Sequence, residues 1–167
     1  MKQRKAFSLI EMIMVMVILG IIAGIGAPLI AETGRGWLLH VQRKEMSESA
    51  RIAIDRMTRE IRRIKDTTSV ITASNTAFQF VNIDDENITF DSSGTTLRRT
   101  IDGTTNELAD NLDSISFTYY DTSGSTITTP DVSPQETDIR RIEISLTFSL
   151  GGTQLTVVSQ VWPRRFL

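Results

Sequence analysis

Residues 7–31 read FSLIEMIMVMVILGIIAGIGAPLIA, and this stretch decides the architecture. From Met12 to Ala31 twenty residues carry no charge, and nearly all are apolar. As a helix such a run is about 30 Å long, the thickness of a bilayer's hydrocarbon core. Lys2, Arg4 and Lys5 precede it. Basic residues stay on the cytoplasmic side, so the N-terminus is expected there and the C-terminus across the membrane. No second stretch of this kind follows, which predicts a single crossing.

Downstream, the pattern changes from apolar on all sides to apolar on one side. Between Arg35 and Asp66, Met46, Ala50, Ile54, Met57, Ile61 and Ile64 recur in steps of three and four, the period of an amphipathic helix. Arg51, Asp55, Arg56, Arg59, Glu60, Arg62 and Arg63 fall between them and are expected to face water or a partner. No proline interrupts this part; Pro28 and the Gly34–Gly36 pair are the weak points upstream. A helix from Phe7 to Lys65 would be about 90 Å long. One small domain cannot cover such a rod, so its first half must be buried in lipid or in other subunits.

After Asp66 the period becomes two. Phe78 and Phe80, Ile88 and Phe90, and Ile115, Phe117 and Tyr119 alternate with polar residues, as do Ile142, Ile144, Leu146, Phe148 and Leu150. Gly151–Gly152 predicts a two-residue hairpin into Thr153–Trp162. Further turns are read at Ser92–Gly94, Asp102–Gly103 and Ser123–Ser125. The expected fold is α+β: a long N-terminal helix, its first half transmembrane, whose second half covers a C-terminal antiparallel sheet domain.

Composition narrows the function. The net charge of −2 gives no reason to expect nucleic acid as a partner. Without the first six residues, 15 bases face 20 acids, and from Thr67 onward there are 13 acids and 6 bases. The sheet region is therefore acidic and the helix before it basic. Cysteine is absent, which excludes disulfides and thiolate chemistry. His40 is the one histidine, and no nucleophile elbow, zinc motif or phosphate-binding glycine loop occurs. No catalytic residue, cofactor or metal is expected. Asp84-Asp85-Glu86-Asn87 clusters oxygens that calcium could use, but it lacks the spacing of a calcium loop and reads as a solvated turn. Gly20 and Gly24 permit close helix contact, and Arg140-Arg141 and Arg164-Arg165 read as solvated sheet edges.

The segment Lys5-Ala6-Phe7-Ser8-Leu9-Ile10-Glu11 resembles the cleavage and methylation signature of type IV prepilins and type II secretion pseudopilins. The resemblance implies that prepilin peptidase cuts between Ala6 and Phe7, that the new Phe7 terminus is N-methylated, and that Glu11, fifth in the mature chain, serves assembly. Pro28 falls where many members of the family kink their helix. The residue before the cut is usually glycine; alanine is its smallest substitute, so slower cleavage is expected. The stretch Ser49–Arg63 is similar to the helix of minor pilins and of J-type minor pseudopilins, which initiate assembly near the filament tip. The Trp162-Pro163 ending with basic residues is similar to minor pilins of mannose-sensitive haemagglutinin systems.

These resemblances imply a single-pass inner-membrane precursor with a periplasmic or extracellular C-terminal domain, later part of a pilus or pseudopilus. The partners implied are prepilin peptidase, other pilin or pseudopilin subunits, the inner-membrane assembly platform and the lipid bilayer. The division read along the chain is leader 1–6, transmembrane and assembly helix 7–34, amphipathic helix 35–66 and antiparallel β domain 67–167. Glu11 adds a physical argument, since a carboxylate in an apolar span costs about 2.5 kcal/mol or more and needs a use. An ordinary signal peptide would have a shorter, acid-free apolar core. The competing reading is a signal anchor that holds a periplasmic binding or enzymatic domain.

Overall fold

The computed structural model describes residues 8–128 and 139–164; the side chains of residues 26–40, 42 and 67 are outside that description. The architecture is α+β. One helix, α1, runs Leu9–Ile61 and is followed by eight strands: β1 Val70–Ala73, β2 Phe78–Val81, β3 Asn87–Ser93, β4 Thr96–Ile101, β5 Thr104–Ala109, β6 Leu112–Tyr120, β7 Arg141–Leu150 and β8 Thr153–Val161. The chain divides into two compact units, residues 1–41 and 42–167.

In the second unit the helix stripe read from sequence is the core. Met46, Ala50, Ile54, Met57, Ile61 and Ile64 are all buried, joined by Ala53. The antiparallel domain consists of two sheets rather than one, a five-stranded meander β1-β2-β3-β4-β5 and a three-stranded sheet β6-β7-β8. Strand alternation places Phe78, Phe80, Ile88, Phe90 and Leu97 of the first sheet and Ile115, Phe117, Tyr119, Ile142, Ile144, Leu146 and Phe148 of the second on buried faces. Aromatic rings join the sheets: Phe78 lies 5.8 Å from Phe117 and 5.6 Å from Tyr119, centroid to centroid. The backbone joins them too. The Phe117 N–H donates to the Asn75 carbonyl and the Leu112 N–H to the Thr95 carbonyl, both at 2.8 Å. The Tyr119 hydroxyl, whose pKa burial pushes up, donates to the Ser74 carbonyl at 2.8 Å.

Hairpin chemistry follows the turn residues. Asp102–Gly103 and Gly151–Gly152 all have positive φ, the requirement of a type I′ turn, and they link β4 to β5 and β7 to β8.

The helix expected to reach residue 65 or 66 stops at Ile61. Tertiary pairing ends it. The Ile83 N–H donates to the Arg63 carbonyl at 2.9 Å and the Lys65 N–H to the Val81 carbonyl at 3.1 Å. Asp66 then caps a single 3₁₀ turn, accepting from Thr68 N–H at 3.0 Å and from the Thr68 and Ser69 hydroxyls at 2.7 Å. Those bonds, the Ser69 hydroxyl foremost, hold its carboxyl below the usual range. A depressed carboxylate stabilises the fold above its unfolded pKa, and that contribution is lost as pH falls through the folded value.

Glu60 departs from the expected water-facing set. Its side chain is 13% exposed and meets Arg99 of β4, 10% exposed, with Nε–Oε2 at 2.7 Å. Arg56, one turn earlier, donates to the other oxygen at 2.9 Å. Removing one partner of a nearly buried pair leaves an uncompensated charge. Arg99→Ala is therefore expected to cost about 3 kcal/mol, whereas Arg99→Met combined with Glu60→Leu stays within about 1 kcal/mol of the wild type. Denaturant unfolding followed by near-ultraviolet circular dichroism measures both.

Candidate functional site

The first unit presents a surface unlike the second. α1 starts after Ser8, whose carbonyl accepts from Glu11 N–H at 3.0 Å and Met12 N–H at 3.2 Å. From Leu9 to Ile25 every large apolar side chain is open to solvent, between 47% and 79% exposed. The exposure has no polar side, so no single face of this segment would suit a soluble core. Gly20 and Gly24 have no atom within 4 Å of where a Cβ would stand, so both are open notches in that surface. Among the described residues no helix is long and apolar enough to cross a membrane. The expected span, Met12–Ala31, runs past Ile25 into residues whose side chains lie outside the described ones.

Glu11 is the sole charge between Ser8 and Ile25. It is exposed, lies in the first turn of α1, and has no side-chain partner among the described residues. Ser8 and Glu11 have the S-x-x-E spacing of a capping box, and a negative charge there favours the positive end of the helix dipole. That spacing was readable in the sequence and marks where the helix begins. Ala6 and Phe7 lie outside the described residues, as does the side chain of Pro28. α1 is helical through the Pro28 position.

The acidic turn at Asp84–Glu86 and Arg141 are occupied by structural contacts. Asp84 pairs with Arg63 and Asp85 with Lys65, and Glu86 accepts from the Asn82 amide at 2.7 Å. Asn82, nearly fully buried, also accepts from the N–H groups of Asp84 and Glu86 at 2.9 and 3.0 Å. The acidic turn is thus stitched to the helix end. Arg141 stacks its guanidinium 3.8 Å above the Tyr120 ring and donates to Gln160 at 3.3 Å, a position on the wet face of the second sheet. The His40 side chain and Arg165 are outside the described residues. An open groove of about 550 Å³ lies between Glu45, Met46 and Ser49 and the Glu107–Asn111 segment. Among the described residues no cluster of His, Cys, Asp or Glu could hold a metal ion.

Residues 1–27 match the family described as the prokaryotic N-terminal methylation motif. No curated protein matches the chain. The motif supports a type IV pilin-like, prepilin-processed chain, a membrane-anchored precursor in kind, and the α+β architecture of long helix and antiparallel sheet is consistent with a pilin fold. It implies processing by prepilin peptidase and assembly with other pilin subunits.

Because Asp84 and Asp85 already pair with cations, millimolar calcium is expected to leave the melting temperature unchanged. A calcium site filled at a hundred times its Kd would add about 2.7 kcal/mol. Thermal melts in calcium and in chelator therefore separate the two cases, and a rise of several degrees would overturn this reading.

Proposed function

We propose that the chain is a minor pilin or pseudopilin subunit of a type IV pilus or type II secretion pseudopilus. It is a structural protein and not an enzyme. Inserted once in the inner membrane with its N-terminus cytoplasmic, it loses residues 1–6 to prepilin peptidase, is N-methylated on Phe7, and passes from the assembly platform into a filament or its initiating tip complex. The observation that carries this is the methylation motif running directly into a helix segment with apolar side chains exposed on every side. Lipid first, and then the helices of other subunits, take that surface out of water.

The cut between Ala6 and Phe7 creates a positive amine one helical turn before Glu11. In a filament each Glu11 meets the Phe7 amine of a neighbour. In a dry setting that pair is strong, and a carboxylate left without a partner is costly. The similarity of Ser49–Arg63 to minor subunits supports the minor class.

Mass spectrometry of the protein recovered from membranes tests the processing. The expected N-terminus is methylated Phe7, with some uncut precursor because Ala6 replaces the usual glycine. A terminus at Met1 alone, or one near Ala27 from signal peptidase, would remove the pilin reading and favour the signal-anchored domain.

Glu11→Gln tests the assembly charge. The apolar run inserts without it, so the level of mature protein and the cut at Phe7 should stay unchanged. Co-purification with sheared filaments should fall about tenfold or more, the effect of an unpaired amine in a dry interface. Normal incorporation would sink the charge pairing and leave the anchored subunit standing.

A further inference from the structure

At one end of the second sheet the last residues of β6 and β8 flank the first residues of β7. An open pocket of about 300 Å³ lies there. Four of its lining groups are left without a partner among the described residues. Trp162 stands 48% exposed, although Val161 and Pro163 on either side are buried, so the indole is held out on an anchored backbone. Arg140 donates its backbone N–H to the Tyr120 carbonyl at 2.8 Å, while its half-buried guanidinium makes no bond. The Asp121 Oδ1 accepts from the Ser123 N–H at 2.8 Å, the Ser123 hydroxyl at 2.7 Å and the Ser125 N–H at 2.9 Å. Those bonds, the Ser123 hydroxyl foremost, hold its carboxyl below the usual range, so it is ionised at neutral pH. The Asp121 Oδ2 and the exposed Thr122 hydroxyl remain open. Arg141 is different: resting 3.8 Å above the Tyr120 ring and bonded to Gln160, it is a fixed wall that adds positive charge.

This mixture of groups narrows the ligand. A purely apolar molecule would strip water from Arg140 and Asp121 and give them no partner, which is costly. A small inorganic anion would suit Arg140, but it would meet the Asp121 charge and leave the indole idle. A sugar supplies what is needed, with hydroxyls that both donate and accept and a face of C–H groups to lie on an indole. A carboxylate on that sugar is the planar group a guanidinium binds through two bonds.

We infer that this pocket binds an acidic sugar, a uronic acid unit of a polysaccharide. Its ring rests on Trp162, its carboxylate meets Arg140, and one of its hydroxyls donates to the Asp121 Oδ2. The open pocket suits one unit within a chain, because the polymer can continue outward from it. The inference does not rest on how the N-terminus is processed.

Trp162 can report the binding itself. In the full-length protein in detergent micelles, Trp37→Phe leaves it the one tryptophan. Tetragalacturonate should then change the fluorescence saturably, with a Kd of about 1 mM or tighter. Maltotetraose, a neutral chain of the same length, should bind about tenfold more weakly, because Arg140 gains no charged partner from it. Arg140→Gln should erase that preference, and its melting temperature should not move, since the guanidinium bonds to nothing in the fold. Trp162→Ala, followed by calorimetry, should weaken tetragalacturonate about tenfold. No saturable change at about 10 mM tetragalacturonate would overturn the proposal. So would equal binding of maltotetraose, a preference that survives Arg140→Gln, or unchanged affinity in Trp162→Ala. Inorganic phosphate or single-stranded DNA binding as tightly at the same ionic strength would also overturn it, and would assign the pocket to a phosphate ligand.

Discussion

Apolar surface on α1 has to leave water, and the sheets provide a cover for only part of it. From Met46 to Ile61 the apolar residues form a stripe, and the inner faces of two sheets bury it to completion. From Leu9 to Ile25 thirteen large apolar side chains stand exposed. At about 1.5 kcal/mol or more for each, removing them from water is worth on the order of 20 kcal/mol. That exceeds the stability of an ordinary domain. A molecule with this surface does not rest in water, and the nature of its cover is the nature of its function.

The stripe alone does not fix how the helix lies on the sheets. Apolar contacts have no direction, and a helix can shift along a face at small cost when the side chains are of similar size. Glu60 and Arg99 remove that freedom. Their nearly buried bond at 2.7 Å requires one rotation and one height of α1 against β4, and Arg56 occupies the second carboxylate oxygen. Replacing such a pair by apolar residues often changes stability little, so what the pair supplies is alignment more than net free energy. The stitched turn from Asn82 to Glu86 fixes the same helix at its end, where Arg63 and Lys65 pair with Asp84 and Asp85.

What was legible in the sequence depended on how local the cause was. Periods of 3.6 and 2 marked the helix stripe and β2, β3, β6 and β7, because one buried face writes itself into the residue order, and the Gly151–Gly152 hairpin marked β8. β4 and β5 left little trace. β4 reads TLRRTI, with Arg98 turned out to Asp91 at 2.8 Å and Arg99 turned in to Glu60, so its alternation is hidden by two like residues. β5, TTNELA, is nearly all exposed and has no apolar face to show. The division into two sheets was illegible for a related reason: it rests on contacts such as Phe78 with Phe117 and Tyr119, residues far apart in the chain. The helix end was hidden as well. Arg62, Arg63 and Lys65 are good helix formers, and only backbone pairing with Val81 and Ile83 stops the helix. The N-terminal motif could be read whole, because an enzyme that recognises a linear segment needs nothing but order and spacing.

Glu11 has two explanations, and magnitudes separate them. As an acid in the first turn it favours the positive end of its own helix, an effect of about 0.3–1 kcal/mol. A carboxylate held among apolar neighbours costs about 2.5 kcal/mol or more. Capping alone therefore leaves a deficit wherever this segment is surrounded by lipid or by other helices. An aspartate or serine at the helix start, outside the apolar run, would cap as well at no such cost. The deficit closes only if a positive charge arrives at the same depth. A chain end created at Phe7 brings that charge to the first turn, while an uncut leader places an ordinary amide there. The proposed cleavage and the carboxylate thus explain each other: the acid is tolerable because the amine exists, and the amine can enter an apolar interface because an acid waits there.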